Sequence, residues 1–155
     1  MMTVWQVGHG RSLQLGSASV LMGILNVTPD SFSDGGRFNV ADAAIDHAKA
    51  MQAAGALIID VGGESTRPGA SPVDAATEQA RVLPIIEALA SEMDLLISVD
   101  TYRSETARLA VKDGAHIIND VTGLQGDPGV AKVAGKTGSG VCVMHTGRGR
   151  EKLPD

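Results

Sequence analysis

The chain has 155 residues with 13 Lys plus Arg against 18 Asp plus Glu, a formal charge of −5, which sets the size of one ordinary domain. Hydrophobic residues make up 43% and charged residues 20%, so the chain holds enough apolar material for a core and does not have the composition of a disordered segment. An acidic balance and only 3% aromatic residues argue against a nucleic-acid partner, and Cys142 as the single cysteine excludes an intrachain disulfide framework.

From the N-terminus, Met1–Gln6 lacks a basic segment followed by an apolar one, and no apolar run approaches a membrane span; with the lone cysteine this gives an expectation of a cytoplasmic protein with no membrane role. Residues 3–18 read as a hairpin turning at Gly8-His9-Gly10-Arg11. Five nearly continuous apolar runs follow, at Val20–Val27, Leu57–Val61, Leu95–Val99, His116–Val121 and Gly140–Met144. Continuous rather than alternating hydrophobicity is what a parallel sheet covered on both faces requires. Helical patterns separate the runs. They lie at Ala41–Ala54, closed by Gly55; Asp74–Ala90, with Pro84 as a kink; Ser104–Asp113, with Ser104 and Glu105 at its start and Gly114 after its end; and Pro128–Ala134.

Each apolar run ends in a polar residue: Asn26, Asp60 with Glu64 beyond it, Asp100, Asn119 with Asp120, and His145. Any one of these is explained by turn chemistry alone. Five in succession predict a shared polar mouth, because the carboxyl ends of parallel strands lie on one face. Two architectures fit this order. A doubly wound five-stranded sheet suits the length, whereas a (β/α)₈ barrel takes about 250 residues. An initial hairpin able to plug a barrel floor, and polar residues at every strand end instead of at one switch point, speak for the barrel, as does the polar segment Thr146–Asp155 with no helix after the fifth strand.

The segment Asn26–Gly36 is long for a βα loop, and Phe32 is an odd choice for a solvated tip. Gly62–Gly69 gathers backbone donors, hydroxyls and a guanidinium, a combination suited to an anion. Asp100 and Asn119 pair a carboxylate with a carboxamide, able to read a flat heterocycle that carries donors and acceptors, with Met144 as an apolar wall. His145 stands without a second nitrogen ligand nearby in sequence, which disfavours a histidine metal cluster. Gly135-Lys136-Thr137 resembles the end of a P-loop but lacks the upstream glycine and follows a helix, so it is set aside.

Taken in order, Asn26–Gly36, Asp60–Gly69, Ser98–Thr101 and Ile118–Val121 resemble the successive signatures of the bacterial dihydropteroate synthases, pterin-binding enzymes. The resemblance runs across essentially the whole chain. It implies a single partial domain over 1–155, α/β in class, of the (β/α)₈ TIM-barrel type, holding an N-terminal hairpin and about the first five strands. It implies a transferase of folate biosynthesis, a sulfonamide target, that joins 6-hydroxymethyl-7,8-dihydropterin diphosphate to para-aminobenzoate and releases diphosphate. By the same resemblance Asn26 helps hold Mg²⁺ and the diphosphate; Asp100 and Asn119 bond the pterin ring; Val121 and Met144 line its pocket; Thr66 lies against the diphosphate; and Arg67, Pro68 and Phe32 border the aminobenzoate. It also implies a homodimer. No general base is assigned. Family positions after the sixth to eighth strands have no counterpart here, so the chain reads as a fragment, inactive or nearly so by itself. A methyl-transferring pterin barrel and a non-catalytic half that needs a partner chain are the alternatives.

Overall fold

The computed structural model describes residues 2–28, 37–65 and 71–145. Strands β1 (Thr3–Gln6) and β2 (Ser12–Leu15) form an antiparallel hairpin. A five-stranded parallel sheet follows, built from β3 (Leu21–Asn26), β4 (Ala56–Gly62), β5 (Leu96–Asp100), β6 (Ile117–Asp120) and β7 (Gly140–Val143). Between them lie α1 (Arg37–Ala53), α2 (Ala75–Glu92), α3 (Ser104–Lys112) and α4 (Gly129–Thr137). Every apolar run of the sequence became a strand. Helix α1 starts before the alanine-rich stretch, because that stretch marks only the part of the helix that faces the sheet, through Ala44, Ile45 and Ala48. Helix α2 is one element with Pro84 inside it.

Strand order and helix placement decide between the two architectures. The order is β3-β4-β5-β6-β7, with no reversal. One apolar cluster joins Leu25, Ile59, Val61, Ile97, Val99 and Ile118 to residues from all four helices, so the helices share one face of the sheet. On the other face Ile58, Leu96 and Ile117 meet Val7 of the hairpin, with Trp5, Leu13, Met22 and Cys142 beside them. A doubly wound sheet reverses its order and carries helices on both faces, whereas a barrel does neither. The sheet is therefore part of a (β/α)₈-type barrel, and its helix-free face is the barrel interior. Strands β3 and β7 pair on one side only among the described residues, and Leu21, Ile24, Val143 and Met144 remain exposed there.

The hairpin plugs the lower, amino-terminal end of the strands, and His116 is its seat. Gly8 and Gly140 both donate backbone hydrogen bonds to the His116 carbonyl, at 2.9 and 3.0 Å. A side chain at Gly140 would put its Cβ 2.7 Å from Trp5 Cζ2, so only glycine lets the hairpin come this close. The His116 ring is buried, and its Nδ1 accepts from the Ile97 amide at 3.0 Å, which fixes that nitrogen as unprotonated. The His9 ring meets it edge-on at 5.4 Å. Burial, with His9 and Arg11 nearby, holds the His116 pKa down at about 4 against an ordinary 6.5.

A histidine whose folded pKa lies below its unfolded value contributes stability that is full above the unfolded pKa and is lost as pH falls through the folded one. Acid titration of unfolding should therefore show a loss of up to about 3 kcal/mol between pH 6.5 and 4 that disappears in His116→Asn, whose Oδ1 still accepts from Ile97 without titrating. Superimposable pH profiles for the two proteins would show that His116 is not the group responsible.

Candidate functional site

The register of the parallel strands stacks the interior-facing side chains into rows. Asn26, Gly62, Asp100, Asn119 and Cys142 are successive partners across all five strands and form the uppermost row. Immediately beneath, Ile24, Asp60, Ser98, Ile117 and Gly140 form the next. Positions two apart on a strand share a face, so the two rows face the same interior. Polar strand ends thus sit above an apolar floor of Ile58 and Leu96.

Asn119 Nδ2 donates to Asp60 Oδ2 at 3.0 Å, although β5 lies between their strands. Two strand spacings are about 9.6 Å on a flat sheet, so side chains that short meet only over a concave surface. The site is the inside of a curve. Asp60 and Ser98 are 3% and 0% exposed, yet Asp60 Oδ1 and Ser98 Oγ are the buried side-chain polar atoms without a partner among the described residues. Unpaired buried polar atoms cost about 1–3 kcal/mol each unless something arrives to bond them. Gly62 leaves the upper row open between Asn26 and Asp100. A Cβ there would lie 3.4 Å from Asp100 Oδ2 and 3.7 Å from Asn26 Oδ1, so a carboxylate and an amide oxygen flank one cradle.

Burial raises the Asp100 pKa to about 7, with the carboxylates of Asp60, Glu78, Asp120 and Glu64 adding to the rise. Burial likewise raises Asp60, against the opposing pull of the nearby Ser98 side chain and the Asn119 amide. Carboxyls raised by burial in one poorly solvated mouth favour a cationic or N–H-rich ligand, which stabilises their ionised form.

Of the residues singled out from sequence, Asn26, Asp100 and Asn119 come together in one row. Val121 follows β6 at the rim, half-buried, and Met144 follows β7 and is 49% exposed. Phe32, Thr66, Arg67 and Pro68 lie outside the described residues, as does the segment 146–155. Asp120 turns away from this row and closes the turn after β6, where its carboxylate accepts from the amides of Thr122 and Leu124 and from the Thr122 hydroxyl. Lys136 of the rejected P-loop look-alike sits exposed in the last turn of α4. Asp60 was among the polar strand ends read from the sequence but was given no binding role, and Ser98, legible from its place two positions before Asp100, stood outside the residues singled out.

A parallel barrel sheet with a polar layer at the carboxyl ends of its strands defines a ligand-binding α/β enzyme barrel. The chain belongs to the pterin binding enzyme family, whose sequence pattern matches residues 22–154. It is 54% identical over 137 residues to dihydropteroate synthase of Escherichia coli, an alignment that takes in 88% of this chain and 48% of that one. Among solved structures it resembles dihydropteroate synthase of Clostridium difficile, determined in the presence of pteroic acid, with a TM-score of 0.82 and 53% identity over 90% of this chain and 53% of that one. The Xanthomonas albilineans dihydropteroate synthase with 4-aminobenzoic acid gives a TM-score of 0.84 at 42% identity, over 99% and 56% of the two chains. The chain spans about half the length of the curated relatives it matches.

Since the folded pKa of Asp100 stands above its unfolded value of 3.8, its carboxyl is destabilising once ionised, from pH 3.8 upward and in full above 7. Asp100→Asn should therefore raise the unfolding free energy by roughly 2–4 kcal/mol above pH 7, with a gain that shrinks toward pH 4. Thermal melts across that range test this, and a gain independent of pH would assign the effect to packing instead.

Proposed function

We propose that the protein carrying this chain condenses 6-hydroxymethyl-7,8-dihydropterin diphosphate with para-aminobenzoate to give 7,8-dihydropteroate and diphosphate. The observation that carries this reading is the concave polar layer with two unpaired buried atoms, Asp60 Oδ1 and Ser98 Oγ. An aminopyrimidinone edge presents adjacent N–H donors beside acceptors. Asp60 and Asp100 accept such donors when ionised, while the Asn119 amide offers one of each kind. Supporting it, relatives at about half identity are dihydropteroate synthases, two of them solved with pteroic acid and 4-aminobenzoic acid.

In this reaction the exocyclic C–O bond to diphosphate breaks, the aniline nitrogen bonds to that carbon, and the nitrogen gives up a proton. Positive charge develops on the pterin side as diphosphate leaves. The carboxylates of Asp60 and Asp100 hold the pterin beside Gly62, where no side chain intervenes. Asn26 lies beside the same cradle, and hard oxygen donors such as Asn26 Oδ1 and Asp100 Oδ2 suit Mg²⁺. Magnesium needs only one or two protein oxygens when phosphates and water complete its shell, which fits described residues that hold no cluster of three or more acidic, His or Cys ligands. Bound there, Mg²⁺ would neutralise the departing diphosphate.

On this reading Thr66 lies against the diphosphate, and Arg67, Pro68 and Phe32 border the aminobenzoate. Val121 and Met144 flank the ring. The reading extends to a cytoplasmic homodimer; among the described residues no helix is long and apolar enough to cross a membrane.

The test is diphosphate release with both substrates and Mg²⁺ present. Release should need para-aminobenzoate, and Asn119→Leu should weaken pterin binding at least ~10-fold by stranding Asp60 and removing a donor–acceptor pair. Tight binding of a methylated folate with indifference to para-aminobenzoate would overturn the reading in favour of a methyl-transferring barrel.

A further inference from the structure

One guanidinium outside the polar rows holds both ends of the loop between β4 and α2. Arg103, at the N-cap of α3, donates from Nη1 to Glu64 Oε2 at 2.9 Å and to Glu78 Oε2 at 3.0 Å. Its Nη2 donates to the Val73 carbonyl at 2.6 Å and to Tyr102 Oη at 2.8 Å. The guanidinium also lies 4.4 Å from the centre of the Tyr102 ring, and the Tyr102 hydroxyl donates to Glu64. Glu64 stands just after β4, Val73 just before the Asp74 cap of α2, and Glu78 inside the first turn of α2.

The surroundings are built to keep this guanidinium in place. Glu78 is 1% exposed and takes a second bond from the Thr106 hydroxyl of α3, which Gln79 contacts in turn. Arg81 of α2 adds a 2.7 Å bond to the Gly63 carbonyl at the same loop root. A buried ion pair gives little net stability over apolar residues of similar volume. A planar fork satisfying acceptors on the β4 end and the α2 start at once gives orientation, which a lysine's point charge does not. Position matters too: Thr101, Tyr102 and Arg103 continue the chain beyond Asp100, so the fork is tied to the strand that carries Asp100 in the upper row.

We propose that Arg103 is a positioning residue that ties together the two roots of the β4–α2 loop, Glu64 and Val73, and so tunes the affinity for the second, aromatic carboxylate substrate. The clause about the substrate rests on the reaction proposed above. Arg103 itself touches no substrate, and its influence passes through Glu64 and Val73.

The test combines site-resolved amide hydrogen exchange with steady-state kinetics on the protein that carries this chain. Two variants are compared with the unaltered form: Arg103→Lys, which keeps a charge beside Glu78, and Arg103→Met with Glu78→Gln, which leaves no ionised side chain stranded at Glu78. In the double variant, exchange at Glu64, Ser65, Val73 and Asp74 should rise at least ~10-fold while amides inside α3 and β5 keep their rates. The KM for para-aminobenzoate should rise about 10-fold, with kcat and the KM for the pterin diphosphate changing less than about 2-fold, and Arg103→Lys should fall between. Faster exchange spread evenly over roots and helix interiors would make Arg103 a stabiliser of the fold and overturn the proposal. Unchanged exchange at the roots, or faster exchange with an unchanged KM, would overturn it as well. If the unaltered protein never consumes para-aminobenzoate, the substrate clause falls with the proposed reaction, and exchange at the two roots alone decides the clasp.

Discussion

Two carboxylates on neighbouring strands, Asp60 and Asp100, face the same poorly solvated interior, and the burial they share shapes what surrounds them. Parallel register puts Asp60 opposite Ser98 and Asp100 opposite Asn119, so neither acid can turn away from the other without leaving its row. Burial raises both groups toward neutrality, and the Asp60 carboxylate adds to the rise at Asp100. Asn119 relieves Asp60 by donating one hydrogen bond, while Asp60 Oδ1 keeps no partner. A fold optimised for stability would fill such a place with apolar side chains. Retaining two acids and an unpaired hydroxyl is the pattern of a surface shaped for a ligand at the expense of the empty protein.

That arrangement needs a stiff frame, and the frame is closed by side chains that work across elements. Asp127, in the β6–α4 connection, accepts from the Ser104 amide at 2.8 Å and from the Gly129 amide at 2.8 Å, capping the starts of α3 and α4 with one carboxylate. The two bonds lower its pKa, hydrogen bonding to Ser104 first. At the opposite end of the strands, the hairpin sits on the His116 carbonyl and keeps water from the apolar floor under the polar rows. With cap above and plug below, the strands have little freedom to splay, and the spacing between Asp60 and Asn119 is held.

How much of this was legible follows from the range over which each feature acts. Strands and helices were readable because burial on both faces writes continuous apolar runs, and because Gly55 and Gly114 mark helix ends, Gly114 with a φ of +121° beside Ala90. Barrel against doubly wound sheet was not settled by those runs, since both architectures bury the same apolar strands; the sequential order and the one-sided helices settle it. Ser104 looked adequate as its own helix start, yet the amide there is capped by Asp127, a partner no local pattern announces. Glu78 carried a clue. It falls in register with Val82, Ile85, Ile86 and Leu89 on the buried stripe of α2, and a carboxylate in that register requires a buried cation. Naming Arg103 as the cation took the fold.

The polar mouth and the sheet edges are thermodynamically linked. Ile24, in the Asp60 row on β3, is 54% exposed, and Met144, just past β7, is 49% exposed. Both lie at the margins of the concave face, where apolar surface gains by being covered. A flat heterocycle seated on Asp60, Ser98 and Asn119 covers part of that surface while bonding the unpaired atoms. Any polypeptide that pairs with the edges of β3 or β7, which have one partner each among the described residues, covers another part and dries the mouth further. Drying raises the carboxylates of Asp60 and Asp100 still more, while the hydrogen bonds a ligand makes to them strengthen as the surroundings lose water. Closing the edges and binding a heterocycle are therefore linked, because both remove water from the same concave face.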